Sequence, residues 1–224
     1  MSKAELAAKF DKLALQWEAY VDTLKYESIF NWLANLCRVE LPKFNTSTAK
    51  YQIVDLACGI GLIGQNLRNH GAENSKFHLT GIDISKGMLQ RALEKKVYNG
   101  IFLLDLEVEE LPILDESVSI VTFCGATELF SDLNHILKEI NRILVAEGQL
   151  WVTFQYDPQT GVNPTGHQGI TGMSIDAVKT LLTQYGFSVI DVQIEPEAFF
   201  TPKKEDGVTT LLPVPYLFIQ AKKR

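Results

Sequence analysis

A chain of 224 residues with 46% hydrophobic and 21% charged residues has a globular composition, which excludes a disordered chain or a collagen-like fibre. Its 27 acidic residues against 21 basic ones give a net charge of −6, whereas a protein gripping a phosphate backbone draws its affinity from a basic surplus, so no nucleic-acid partner is expected. No apolar run approaches the roughly 18 residues that span a bilayer, the opening MSKAELAAKFDKLALQWE lacks the apolar stretch of a signal peptide, and Cys37, Cys58 and Cys124 are too widely spaced for a disulfide framework; the expectation is a cytoplasmic protein without a membrane partner.

The length suits one large domain or a core with an added cap. Phe10, Leu13, Trp17, Tyr20, Val21 and Leu24 recur at spacings of three and four, which predicts an amphipathic helical segment, and Ser2 and Glu5 are spaced as its capping box. A polar stretch at 42–50 divides this N-terminal helical cap, 1–50, from a core, 51–224. The first core strand is YQIVDLA, 51–57, and the turn CGIGLIG carries it into a helix. A second strand, FHLTGID, ends at Asp83 and leads into the helix SKGMLQRALEKK. A third, IFLLD, ends at Asp105, and a fourth, SVSIVTFCG, ends near Gly125. Leu133, Ile136, Leu137, Ile140, Ile143 and Leu144 predict a strongly amphipathic helix before a fifth strand, GQLWVTFQ. The helix SIDAVKTLLTQY stops at Gly186, a residue suited to closing a helix, and the strands FSVIDVQI and YLFIQAK follow. The excursion between those last two strands carries four of the eight prolines and does not read as a helix, so the final pair is expected to be an antiparallel hairpin. The alternation as a whole predicts an α/β fold around a mostly parallel sheet.

Gly59, Gly61 and Gly64 spell GxGxxG between a strand and a helix, the context of a nucleotide-type loop in which the backbone turns sharply and approaches a ligand closely. Asp55 stands four residues before the first glycine, where an acid repels phosphates but suits a ligand carrying an ammonium and a sulfonium. Asp83 is placed to accept from ribose hydroxyls and Asp105 from an exocyclic amine, and the three acids end three consecutive strands, where open α/β sheets bind ligands. His70, His78, His135 and His167 contain no pair three or four apart, so no metal site is expected.

As a set, IVDLACGIGLIG, LTGIDISKGMLQRA, LLDLEVEELPILDESVSIVTFCGATELF and INRILVAEGQLWVTF resemble the class I S-adenosylmethionine-dependent methyltransferases, of the methyltransferase type 11/25 kind. The N-terminal FDKLALQWEAYVDTLKY is similar to the opening of the subgroup related to the Williams-Beuren syndrome region methyltransferase, with Phe10 and Trp17 where that pattern has tyrosines. The resemblance implies a doubly wound, Rossmann-like seven-stranded sheet in the order 3-2-1-4-5-7-6, its last strand antiparallel. It implies S-adenosyl-L-methionine as methyl donor and a small-molecule acceptor. Asp55, Cys58, Gly59 and Gly61 would surround the methionine moiety, and Asp83 would hold the ribose, with Ile84 and Met88 packed on the nucleoside. Asp105 and Leu106 would meet the adenine, and Cys124, Gly125 and Ala126 would lie under the sulfonium. Glu128 and His167 are the candidate bases, and Tyr20 and Tyr26 would shape the substrate pocket. Two alternatives stay open: a nicotinamide-dependent oxidoreductase, which GxGxxG and Asp83 allow but Asp55 opposes, and a non-catalytic module that binds the cofactor without chemistry.

Overall fold

Three helices open the chain: α1 (Lys3–Leu13), α2 (Trp17–Leu24) and α3 (Glu27–Phe44). The core then runs β1 (Tyr51–Leu56), α4 (Leu62–His70), β2 (Phe77–Asp83), α5 (Lys86–Lys95), β3 (Gly100–Leu103), β4 (Val118–Phe123), a short 3₁₀ turn (Thr127–Leu129), α6 (Asn134–Ile143), β5 (Leu144–Gln155), α7 (Ile175–Gln184), β6 (Phe187–Glu205) and β7 (Val208–Lys223). These elements come from a computed structural model that describes residues 2–24, 27–44, 51–71, 77–157, 172–205 and 208–224. The strands form one sheet in the order β3-β2-β1-β4-β5-β7-β6, parallel except for β7, which runs antiparallel to both β5 and β6. The expected order and the antiparallel final pair are both present.

Both faces of this sheet are covered, which explains why its strands read as nearly unbroken apolar runs rather than alternating ones. Successive side chains still point to opposite faces. Tyr51 and Ile53 of β1 join one buried cluster with Phe77, Leu79, Trp151 and Phe218, and Ile29, Trp32, Leu33 and Leu41 of α3 close it. Val54 and Leu56 join the other cluster, closed by Ile136, Leu137, Ile140 and Ile143 of α6 and by Val178 and Leu182 of α7.

Element boundaries differ from expectation in three places. Helix α3 continues through Pro42 to Phe44, because a proline in the last turn forfeits a single backbone bond. Strand β3 ends at Leu103, leaving Asp105 in the loop beyond it. Strands β6 and β7 pair far past the sheet, out to Glu205 opposite Val208, so the proline-rich excursion is an extended hairpin arm.

Ser2 and Glu5 form the expected capping box, with the Ser2 N–H on Glu5 at 2.7 Å and the Glu5 N–H on Ser2 Oγ at 3.2 Å. Helix α1 then docks on the start of α5. One oxygen of Asp11, Oδ1, accepts from the Ser85 hydroxyl at 2.6 Å and from the Gly87 N–H at 2.7 Å. Ala14 packs with Ile60 and Met88 beneath Phe10, Leu13 and Trp17. A methyl group on Gly87 would stand 2.9 Å from the backbone of Asp11, which has no freedom to rotate away. Gly87→Ala is therefore expected to lift α1, at a cost of about 1–3 kcal/mol for the overpacking. Hydrogen exchange measures it: amides of 3–13 should exchange about tenfold faster or more, with those of β1 and β4 unchanged. Unchanged protection in α1 would show that this contact does not hold the helix.

Candidate functional site

A cavity of about 350 Å³ lies over the C-terminal ends of β1, β2, β3 and β4, beneath α1. Its position follows from the topology: β1 pairs with β2 on one side and β4 on the other, so the chain switches direction across the sheet there and leaves a crevice. Cys58, Gly59, Asp83, Ile84, Met88, Asp105, Leu106, Cys124, Gly125, Ala126 and Glu128 all line it. Phe10, Trp17, Val21, Ile29 and Phe30 from the helical region close it from above.

Asp83 is the polar centre of the floor. Its Oδ2 accepts from the Gly59 N–H and its Oδ1 from the Ser85 N–H, each at 2.8 Å. This one side chain fixes the glycine turn and the entry to α5. Burial pushes its carboxyl up to about 6 against the pull of those N–H groups. Gly59 has a φ of +53°, and a Cβ built on it would meet nothing within 4 Å. Open space on a left-handed glycine at a cavity wall fits a ligand brought against the backbone.

Asp55, by contrast, does not line the cavity. It is 1% exposed, one layer below the glycine turn. The Tyr98 hydroxyl donates to its Oδ2 at 2.5 Å and the Thr122 hydroxyl to its Oδ1 at 2.7 Å. Thr122 is there because β4 pairs with β1 in a register that sets it beside Asp55. Tyr98 arrives from the loop before β3, which Arg68 and Asn99 clamp: Arg68 donates to Val97 O at 2.8 Å and to Asn99 Oδ1 at 2.7 Å, and that oxygen also takes the Leu79 N–H. Burial pushes Asp55 up to about 7 despite its two hydroxyl partners, and burial beside Asp55 pushes the Tyr98 phenol well above its ordinary value.

The later glycines of the motif make room for that tyrosine. A Cβ on Gly64 would stand 2.6 Å from Tyr98, and one on Gly61 or Gly81 3.0 Å from its ring. Gly61, at φ +85°, is likewise not on the cavity wall. Sequence reasoning missed Tyr98, since nothing in VYNG marks a side chain that returns beneath a loop more than thirty residues earlier.

Glu107, also missed, ties the loop after β3 to α1 and to the segment before α6. Its Oε1 accepts from the Ser131 hydroxyl at 2.8 Å and the Asp132 N–H at 3.1 Å, and its Oε2 pairs with Lys3 of α1. Burial works against its charge, but Lys3 and Ser131 hold the carboxyl below the usual range. Asp105 braces the same loop by accepting the Glu107 N–H at 3.0 Å. Burial raises the Cys58 thiol well above its ordinary value, with Asp83 and Asp55 adding to the effect, so it is a neutral packing group. The Cys124 thiol faces Trp151 O at 3.5 Å.

Glu128 is 3% exposed, and its carboxyl is raised by burial, opposed by its own backbone N–H and by the Tyr216 hydroxyl on Oε1 at 2.9 Å. His167 and Tyr26 lie outside the described residues, and Tyr20 is on α2 with its side chain outside them. Among the described residues no group of three or more His, Cys, Asp or Glu is arranged to hold a metal ion, and no helix is long and apolar enough to cross a membrane.

Comparison with known proteins is consistent with this geometry. Residues 54–152 match the family described as "Methyltransferase domain". The chain is 28% identical over 150 residues to the malonyl-[acyl-carrier protein] O-methyltransferase of Priestia megaterium, covering 67% of this chain and 51% of that protein. It is 27% identical over 147 residues to the ubiquinone/menaquinone biosynthesis C-methyltransferase UbiE of Rhizobium rhizogenes, covering 64% and 55%. The chain thus spans about half the length of these curated relatives. In fold it is similar to the YcgJ protein from Bacillus subtilis, with a TM-score of 0.63 at 18% identity over 85% of this chain and 99% of that one.

Proposed function

We propose that the protein transfers a methyl group from S-adenosylmethionine to a small-molecule acceptor by in-line displacement, a reading supported by the match of residues 54–152 to the family described as "Methyltransferase domain". The observation that carries this reading is the joint placement of Gly59, Asp83, Asp105 and Glu128 on one cavity wall. The volume lies within the roughly 300–1,000 Å³ of small-molecule sites.

The residues fit the donor as a group. Asp83 would take ribose hydroxyls, and Ile84 and Met88 would pack against the nucleoside. Asp105 and Leu106 would meet the adenine, and Cys58, Gly59 and Cys124 the methionine end. Asp55 and Gly61 would act from beneath by holding the turn rather than by contact. When bound, S-adenosylmethionine supplies an activated methyl group on a good leaving group, so the chain's share of the chemistry is to align the reactants and take up any proton the acceptor sheds. Glu128 is the residue on the wall suited to that proton, because burial raises its carboxyl. Helices α1 and α2, latched by Asp11, exclude water from above.

The names of the relatives agree on methyl transfer but differ in the acceptor atom, oxygen in one and carbon in the other. They therefore support the reaction and not a particular acceptor. The likeness of the N-terminal segment to the Williams-Beuren-related subgroup rests on its opening motif alone. Titration calorimetry with S-adenosylhomocysteine and with NADH tests the reading: the thioether should bind in the micromolar range or tighter, about −8 kcal/mol, and NADH should not. Binding of NADH alone would overturn it. Transfer of labelled methyl to a compound in a metabolite extract would separate the enzyme from a module that only binds.

A further inference from the structure

The glycine turn at the cavity wall has two supports. In front, Asp83 takes the Gly59 N–H at 2.8 Å, and on the reading above the same carboxylate meets the methyl donor. Behind, the support is Tyr98, which does not line the cavity. Its hydroxyl donates to Oδ2 of Asp55 in β1 at 2.5 Å. The same oxygen meets the Gly64 N–H in the first turn of α4 and the Cys58 thiol at the head of the turn. One atom thus joins the strand that enters the turn, the turn itself and the helix that leaves it.

The side chain also sets the spacing between those pieces. A Cβ on Gly61, Gly64 or Gly81 would stand 2.6–3.0 Å from it, so it fills the gap between α4 and β2 beneath the turn. Both of its chain neighbours are fastened to the elements it separates. Arg68 of α4 donates to Val97 O at 2.8 Å and to Asn99 Oδ1 at 2.7 Å. Asn99 in turn holds Leu79 of β2 by two bonds of 2.8 Å, its Oδ1 accepting the Leu79 N–H and its N–H donating to Leu79 O. A side chain locked in this way by packing and hydrogen bonds holds a binding backbone to a fraction of an ångström. Affinity follows, because a turn already in its bound shape loses less freedom when a ligand arrives.

We propose that Tyr98 is a positioning residue for the methyl donor: it touches no ligand, but it fixes the turn 58–61 against which the methionine end binds. The inference rests on the methyl-transfer reading. Tyr98 differs from Asp83 in a way that makes its role measurable. Altering Asp83 removes a support and a donor contact together, whereas altering Tyr98 removes a support alone.

Titration calorimetry with S-adenosylhomocysteine on the whole chain, at a temperature where each variant is folded, tests this. Tyr98→Phe keeps the ring and removes the hydroxyl, and should weaken binding about 3- to 10-fold, the scale of one hydrogen bond. Tyr98→Leu also empties the socket and should weaken it further. Two more variants separate positioning from a general loss of stability. Thr122→Val removes the other hydroxyl on Asp55 but no bond to the turn, and should weaken binding less than Tyr98→Phe does. Leu182→Ala opens a hole in the cluster that α6 and α7 close, and should lower the unfolding midpoint while leaving affinity within about twofold, as for a distant site. Hydrogen exchange without ligand reports the turn itself: amides of 58–65 should be accelerated in Tyr98→Phe by a larger factor than those of α6. Unchanged affinity in a folded Tyr98→Phe, an equal loss in Thr122→Val, or a comparable loss in Leu182→Ala would each overturn the proposal. Failure of the unaltered protein to bind S-adenosylhomocysteine would count against the methyl-transfer reading instead, and the exchange of 58–65 would still show whether Tyr98 holds the turn.

Discussion

Asp83→Ala should weaken S-adenosylhomocysteine binding by about 10- to 100-fold, equivalent to ~1.5–3 kcal/mol for hydrogen bonds to a charged group. The carboxylate has two tasks, since it bonds the Gly59 and Ser85 N–H groups at 2.8 Å and on our reading also takes the ribose. Removing it both loosens the glycine turn and deletes the ligand contact, so the effect should lie toward the upper end of that range. The pH dependence separates the tasks. In the free protein burial places this carboxyl at about 6, and ribose hydroxyls donate best to the ionised form. Affinity should therefore rise with pH and level off near neutrality, with binding at pH 5 up to about tenfold weaker than the plateau. Asp83→Ala should flatten this profile. Calorimetry at pH 5 and pH 8 on both proteins is sufficient, with circular dichroism to confirm folding. Unchanged affinity in a folded variant would show that the ribose lies elsewhere, and a slope that survives the substitution would assign the titration to another group, such as Asp55, whose carboxyl burial raises to about 7.

How far the sequence alone reaches depends on the distance over which its signals act. Strands β1, β2 and β4 are legible because burial on both faces forces a run of large apolar residues, and α6 because its apolar positions fall on one stripe. Asp83 and Gly59 are legible because a strand end followed by a glycine turn is a local pattern. The extension of β6 and β7 is less so: Pro196, Pro202 and Pro215 discourage a ladder, yet Pro196 pairs with Pro215 and Pro202 with Leu211 within it. Tyr98 is illegible for a different reason. Its contacts with Asp55, Gly61, Gly64 and Gly81 join segments that meet only once the sheet is assembled, and the glycines that admit it are the same ones a ligand-binding loop uses. A motif read as a cradle for a ligand is here in part a socket for a side chain. The placement of Asp55 shows the consequence, because its sequence position suggests contact with a cation while its two oxygens are occupied from within the protein.

That buried triad gives the second large effect. Asp55 has its carboxyl raised to about 7 in the folded chain against about 3.9 for an unperturbed aspartate. A group raised on folding contributes stability that is fully present below its unfolded value and lost as the pH rises through the folded one. Ionising Asp55 thus costs the protein up to ~4 kcal/mol between pH 4 and pH 7 by the ordinary conversion of about 1.4 kcal/mol per unit. The Tyr98 and Thr122 hydroxyls limit that cost by donating to the carboxylate. Tyr98→Phe removes the first of them while keeping the ring in its socket; the same oxygen also meets the Gly64 N–H and the Cys58 thiol, and those losses are common to both pH values. At pH 8, where Asp55 is charged, the substitution should destabilise by about 1.5–3 kcal/mol; at pH 5, where the same bond meets a neutral acid, by about 0.5–1.5 kcal/mol. Urea unfolding at the two pH values gives both numbers. The contributions of Glu107, Glu139 and Asp11, whose carboxyls are all lowered, run the other way with pH but cancel in the difference between variant and parent. A cost that is equal at pH 5 and pH 8 would mean that Asp55 keeps one protonation state throughout. A cost larger at pH 5 would mean that the phenol accepts from a protonated Asp55 instead of donating to it.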